Sequence, residues 1–124
     1  MIRKPKAQIS KRKPKFPIPA VGNFIIIPAR IGSWELVAVV DTASTTNLMP
    51  LLVAQHLRLP IDRTLSEDLD MAKGSVSTIG QVTFRLTIES ITKTIDALVL
   101  KDFAYTLLLG TETCSSYRLV IDTE

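Results

Sequence analysis

The segment from Leu36 to Pro50, LVAVVDTASTTNLMP, constrains this chain more than any other. Five apolar residues run directly into Asp41, and the small residues Thr42, Ala43, Ser44 and Thr45 follow before the chain turns apolar again. An aliphatic run of this kind belongs inside a sheet. A carboxylate at its end is costly to desolvate unless something pairs with it or hydrogen-bonds to it. A strand-end Asp can meet that need locally by capping a turn through its own backbone. A fold can also meet it by bringing a partner group to the same pocket.

The residues around this segment read as short strands broken by turns. Asn23–Arg30 (NFIIIPAR) predicts a strand in which Pro28 marks an edge or a bulge. Ile31-Gly32-Ser33 predicts a turn and Trp34–Val40 the returning strand, so the two make a hairpin. Pro50–Leu57 predicts a short helix with Pro50 at its first position, ended by Leu59-Pro60. Ala72–Ser75 has the composition of a tight turn. Val76–Ile88 alternates, with Val82, Phe84, Leu86 and Ile88 on one face and Gln81, Thr83, Arg85 and Thr87 on the other. Glu89-Ser90 turns the chain into a further strand, Ile91–Leu100, which carries Ile91, Ile95, Ala97 and Val99 in register. Tyr105–Gly110 predicts a buried strand stopping at glycine, Thr111–Ser116 a short helix or turn, and Arg118–Asp122 a last strand. The fold class is all-β with one or two short helices.

At 124 residues, 46% of them hydrophobic, one domain can build a core without disulfide or metal staples. No apolar run approaches the ~20 residues of a membrane span, and no apolar stretch follows the basic N-terminus as a secretory signal requires. A single cysteine, Cys114, can form no intrachain disulfide and reads as a small, partly buried filler. A reducing, intracellular setting is the expectation, cytoplasmic or within a virus-like particle. The net charge of +3 hides a split. Residues 1–15 carry seven Lys/Arg and no acid, and the remaining eight Lys/Arg against twelve Asp/Glu leave −4. Pro5, Pro14, Pro17 and Pro19 disfavour regular helix there. Residues 1–18 thus read as a flexible basic linker, weakly attractive to nucleic acid or other acidic surfaces or simply solvated, and residues 19–124 as the folded domain.

Four pieces occur in a recognisable order: VVDTAS, LVAQHLRLP, MAKGSVSTIGQV and LLLGTETCSSYRLVID. In kind, order and spacing the chain from Pro19 to Asp122 resembles the retropepsin-like aspartic proteases, the single-lobe enzymes of retroviral and retrotransposon polyproteins. The resemblance implies a closed, barrel-like single-lobe acid-protease fold that is half of a homodimeric enzyme, acting on peptide or polyprotein substrate with no cofactor and no metal. It implies one catalytic Asp41 per chain, facing its symmetry mate. Two carboxylates about 3 Å apart share one proton, titrate as a pair, and hold a water between them. One acts as general base on that water while the other protonates or polarises the peptide carbonyl. On the same resemblance Thr42 locks the two loops across the dimer, and Ser44 and Thr45 support the loop. Ala72, Lys73, Gly74 and Ser75 form the tip of a mobile flap that closes over bound peptide. Leu107, Leu108, Leu109 and Gly110 pack behind the site, and the terminal segments pair between chains to cover open edges.

The chain departs from the family pattern at Ala43, where the usual residue is Gly. A positive φ there costs an alanine about 1–2 kcal/mol, whereas at negative φ the methyl merely tightens the groove. Glu112, where the family more often has Asp or Asn, is a milder change. Two readings stay open: an aspartic endopeptidase, and a catalytically inactive dimerisation or peptide-binding module. Other constellations are weaker. Ser44, His56 and Asp62 lack the glycines of a nucleophile elbow. His56 reads as a packed or half-exposed helix residue, Trp34 and Phe84 as core or edge residues. Glu67, Asp68 and Asp70 lack the spacing of a calcium loop.

Overall fold

The computed structural model describes residues 25–41, 43–71 and 74–118. The basic linker at 1–18, the residues Asn23 and Phe24, and the expected last strand beyond Arg118 lie outside the described residues.

Among the described residues the fold is all-β, as the alternation implies, with two short α-helices. Strands β1 (Ile25–Ile31) and β2 (Trp34–Val40) form a hairpin in continuous register from Ile25↔Val40 to Ile31↔Trp34. Gly32 makes its turn at φ +61, a conformation glycine adopts without steric cost. Pro28 produces no bulge, since it pairs with Val37 in step with its neighbours. Strand β6 meets β1 only at Thr87↔Arg30, so the far edge of β1 beside Pro28 has no ladder partner among the described residues, the setting in which a proline is tolerated.

A short β3 (Leu48–Pro50) leads into α1 (Leu51–His56), for which Pro50 is the cap at φ −72, ψ 150 rather than the first helical residue. A 3-10 turn follows at Arg63–Leu65, capped by the Asp62 carboxylate on the Thr64 N–H. Strands β4 (Asp68–Met71) and β5 (Gly74–Ser77) then pair as a separate two-stranded ribbon. The long alternating stretch therefore breaks. Gly74 and Ser75 belong to β5, and Thr78-Ile79 separates it from β6 (Gly80–Ile88). Thr78 is buried and explains the break. Its hydroxyl accepts the Glu67 N–H at 2.8 Å and its own N–H donates to the Glu67 carbonyl at 2.8 Å, which fastens the base of the ribbon.

Strands β6 and β7 (Ile91–Leu100) form the longest hairpin, turning at Glu89-Ser90. Strand β8 is only Leu108–Leu109, shorter than the Tyr105–Gly110 run suggests, although Leu107 through Gly110 are all buried. It leads into α2 (Thr111–Ser116). The strands close into a six-stranded barrel in the order β1-β2-β8-β3-β7-β6.

Two hydrophobic clusters account for the apolar runs that do not alternate. The barrel interior takes Ile27, Leu36, Ala38, Val40, Met49, Val82, Phe84, Leu86, Ala97, Val99, Leu107 and Leu109. The intervening residues Leu48, Leu98, Leu100 and Leu108 point the other way into a second cluster, bordered by Leu69, Phe103 and Tyr105. Strands β3 and β8 and the Ala97–Leu100 half of β7 are thus covered on both faces, which leaves no polar face there. Cys114 is buried in the barrel core, and burial pushes its thiol up to about 11. Tyr117, which follows α2, is fully buried there too; its hydroxyl donates to the Leu86 carbonyl at 2.6 Å.

Candidate active site

Strand β8 lies between β2 and β3, parallel to the first and antiparallel to the second. The chain leaves β2 at Asp41, loops around the end of β8, and returns as β3 after Asn47. Val39 and Val40 pair with Leu108 and Leu109, and the Asp41 N–H extends the ladder to the Leu109 carbonyl at 3.0 Å. The buried apolar strand fixes the backbone of Asp41, and the loop leaves its side chain half-buried.

The loop is built from small polar residues because it satisfies itself. Asp41 Oδ1 accepts the Ala43 N–H at 3.0 Å and the Asp41 carbonyl accepts the Ser44 N–H at 3.0 Å. The local turn cap that an Asp at this position can make is therefore present, and it occupies one oxygen of the two. Ser44 Oγ accepts the Thr46 N–H at 3.1 Å and donates to the Thr46 carbonyl at 2.9 Å. The Ser44 carbonyl accepts the Thr111 N–H at 2.9 Å, which binds the loop to the start of α2. Thr45 is exposed, and Thr42 lies outside the described residues. Ala43 is exposed as well, and among the described residues the non-glycine positions with positive φ are Arg58, Glu89 and Arg118.

Gly110 sits under this loop with no room for a side chain. A Cβ there would lie 2.9 Å from the Ser44 carbonyl oxygen, 2.9 Å from the Thr46 nitrogen and 3.0 Å from the Thr45 carbonyl carbon. The glycine is marked in the sequence by the end of the LLLG run, but its partner Asn47 is not. The Asn47 side chain accepts the Gly110 N–H at Oδ1 (2.9 Å) and donates from Nδ2 to the Asp96 carbonyl (2.8 Å), while its own carbonyl accepts the Leu98 N–H (2.9 Å). A single asparagine preceding a strand carries no signal for this in the sequence. Only its two-sided amide, donor and acceptor together, suits it to bridge two backbones.

Leu108 faces away from the barrel core into the second cluster, where Leu69 of the β4–β5 ribbon also packs. In the ribbon Gly74, at φ +115, pairs with Met71, and Ser75 pairs with Asp70; both Gly74 and Ser75 are exposed. Ala72 and Lys73 lie outside the described residues. The remaining candidates go separate ways. His56 is exposed and stacks edge-on with Trp34, ring centroids 4.5 Å apart, at the tip of the β1–β2 hairpin. The Asp62 carboxyl is engaged by the Thr64 hydroxyl and N–H, which hold it below the usual carboxylate range. Asp68 accepts the Ser77 hydroxyl across the ribbon at 2.7 Å. Among the described residues no group of His, Cys, Asp or Glu is placed to hold a metal ion, and no helix is long and apolar enough to cross a membrane.

This chain has the fold of the single-lobe retropepsins. The structure of EIAV protease in complex with the inhibitor HBY-793 superposes with a TM-score of 0.68 at 13% identity, covering 83% of this chain and 96% of that one. The retroviral protease-like domain of Ddi1 from Leishmania major superposes with a TM-score of 0.60 at 19% identity, covering 82% and 81%. No protein-family model and no curated protein matches the sequence.

Proposed function

We propose that this chain is one half of a homodimeric aspartic endopeptidase that hydrolyses peptide bonds in a polyprotein of retrotransposon type. The observation that carries the reading is the placement of Asp41. Its backbone is fixed by the Leu109 carbonyl, its carboxylate is half-buried, and its fold is that of the single-lobe retropepsins. In this reading Asp41 and the partner subunit's Asp41 share a proton and hold the attacking water. One takes a proton from the water as it adds to the peptide carbonyl, the other gives a proton to the carbonyl oxygen, and the tetrahedral intermediate collapses with protonation of the leaving amine. No bond forms between enzyme and substrate.

Thr42, Ala43, Ser44 and Thr45 shape and support the loop, and Leu108, Leu109 and Gly110 back it. The tip of the β4–β5 ribbon, Ala72, Lys73, Gly74 and Ser75, serves as the flap. The basic residues of 1–15 give the chain a weak electrostatic attraction to nucleic acid, consistent with action in the cytoplasm or in a virus-like particle.

A second reading, an inactive dimerisation or peptide-binding module, is favoured by one observation: Ala43 stands where the family pattern has glycine. Cleavage of a pooled peptide library between about pH 4 and 7 separates the two. Activity in the wild type that vanishes in Asp41→Asn supports the peptidase. Silence in the wild type with activity in Ala43→Gly indicates a machine disabled at one residue. Silence in all three, with a folded dimer, leaves the binding module.

A further inference from the structure

We propose that Asn47 is a positioning residue for Asp41, a reading that rests on the peptidase assignment above. The loop carrying Asp41 is anchored at its start by one bond, Asp41 N–H to the Leu109 carbonyl. At its other end everything converges on Asn47. The Oδ1 atom accepts the N–H of Gly110, the residue directly after Leu109, and Nδ2 donates a hydrogen bond to the Asp96 carbonyl in β7. The Asn47 carbonyl takes the Leu98 N–H. One side chain thus joins the loop's end to β7 and to the segment whose carbonyl holds the Asp41 backbone. The loop backbone closes over the side of Gly110 that a side chain would occupy, where an added Cβ would lie 2.9 Å from the Ser44 oxygen and the Thr46 nitrogen and 3.0 Å from the Thr45 carbonyl carbon. A shift of Gly110 therefore reaches both ends of the loop, through Leu109 to Asp41 and through the Ser44–Thr46 backbone.

The amide is required because both of its functions are used. A carboxylate at this position keeps the acceptor for Gly110 but turns a second acceptor toward the Asp96 carbonyl, which is repulsive. A protonated carboxyl restores the donor and mimics the amide atom for atom. The ionisable residues on the segments joined here are Asp41 in the loop, Asp96 in β7, whose carboxylate is taken by the Thr83 hydroxyl, and Glu112 in α2; Lys93 sits three residues from Asp96, toward the far end of β7. Repulsion from the Asp96 carbonyl disfavours the charged form of an introduced carboxyl while the Gly110 N–H favours it, so recovery is expected as pH falls through the ordinary carboxyl range near ~4.

The experiment compares wild type, Asn47→Ala and Asn47→Asp by amide hydrogen exchange and by kcat and KM for a cleaved peptide, from about pH 3.5 to 7. At neutral pH both variants are expected to lose roughly 10- to 100-fold in kcat, the effect of a misplaced catalytic group, with KM little changed. Both are also expected to lose protection at the Asp41 amide as well as at Gly110. As pH falls, Asn47→Asp recovers kcat relative to wild type and Asp41 protection returns, whereas Asn47→Ala recovers neither. Loss of protection confined to Gly110, or a kcat within about twofold of wild type at pH 7 in Asn47→Asp, overturns the proposal. A wild type that cleaves nothing removes the peptidase reading instead, and the exchange at Asp41 then decides by itself whether Asn47 holds the loop.

Discussion

Replacing Gly110 by alanine puts a methyl group into a space the backbone of the Asp41 loop already fills. The new Cβ would meet Ser44 O at 2.9 Å, Thr46 N at 2.9 Å and Thr45 C at 3.0 Å, all main-chain atoms with no rotamer to change. Favourable carbon contacts begin near ~3.5 Å, so either the loop or β8 and α2 must move. Backbone strain contributes nothing, because Gly110 has φ −83, which any residue adopts. Overpacking of this kind costs about 1–3 kcal/mol. The movement pulls on two hydrogen bonds, Gly110 N–H to Asn47 Oδ1 and Thr111 N–H to the Ser44 carbonyl, and losing one adds about 1 kcal/mol. The expected destabilisation is about 2–4 kcal/mol. With a urea slope of about 2 kcal/mol/M, the unfolding midpoint should drop by roughly 1–2 M at fixed protein concentration. Gly32→Ala is the comparator. It has φ +61 and nothing within 4 Å of the added Cβ, so only the left-handed backbone conformation is penalised, by about 1 kcal/mol. A Gly110→Ala protein no less stable than Gly32→Ala would refute the close packing of loop against glycine. In an active enzyme Gly110→Ala should also depress cleavage where Gly32→Ala leaves it unchanged.

Tyr117→Phe should cost about 1–3 kcal/mol in urea unfolding, because it removes the buried 2.6 Å bond to the Leu86 carbonyl and leaves the ring in place. Alkaline pH should destabilise the protein. Burial pushes Cys114 from its ordinary 9.0 to about 11 and Tyr117 from 10.0 to about 12, so both ionise earlier in the unfolded chain than in the folded one. Their contribution is complete below about pH 9 and is lost as pH rises toward about 12. A thermal melting series over that range checks this, and its slope should flatten in Cys114→Ala/Tyr117→Phe. Leu86→Ala, at a position with 0% exposure, should cost about 2–5 kcal/mol by the same denaturation assay. Leu52→Ala, at 75% exposure on α1, should change stability by less than about 0.5 kcal/mol.

Much of the architecture is legible in the order of residues. The alternation of Val82, Phe84, Leu86 and Ile88 assigns β6 its buried face, and Gly32 and Glu89-Ser90 mark the turns of both long hairpins. Leu36 to Val40 running into Asp41 identifies where a carboxylate must be accommodated. The length and the single cysteine require the core to come from apolar packing alone. These features are local, and period, turn chemistry and composition express them directly.

What tertiary structure decides is which distant backbones meet. Leu48, Leu98, Leu100 and Leu108 are apolar in sequence for no visible periodic reason; they become a second cluster only once β3, β7 and β8 lie side by side, and Leu69, Phe103 and Tyr105 close over them. Thr78 ends the long alternating stretch because its hydroxyl is needed by Glu67, eleven residues earlier. Asn47 reaches Asp96 and Gly110 across 49 and 63 residues of chain. Gly110 is indispensable for the same reason, as the loop folded upon it arrives from Ser44–Thr46 and not from its own neighbours. The sequence by itself therefore determines that strands form and that Asp41 ends one of them. The support of Asp41 arises only from closure of the barrel, because hydrogen bonds and steric contacts between segments this far apart have no local pattern to announce them.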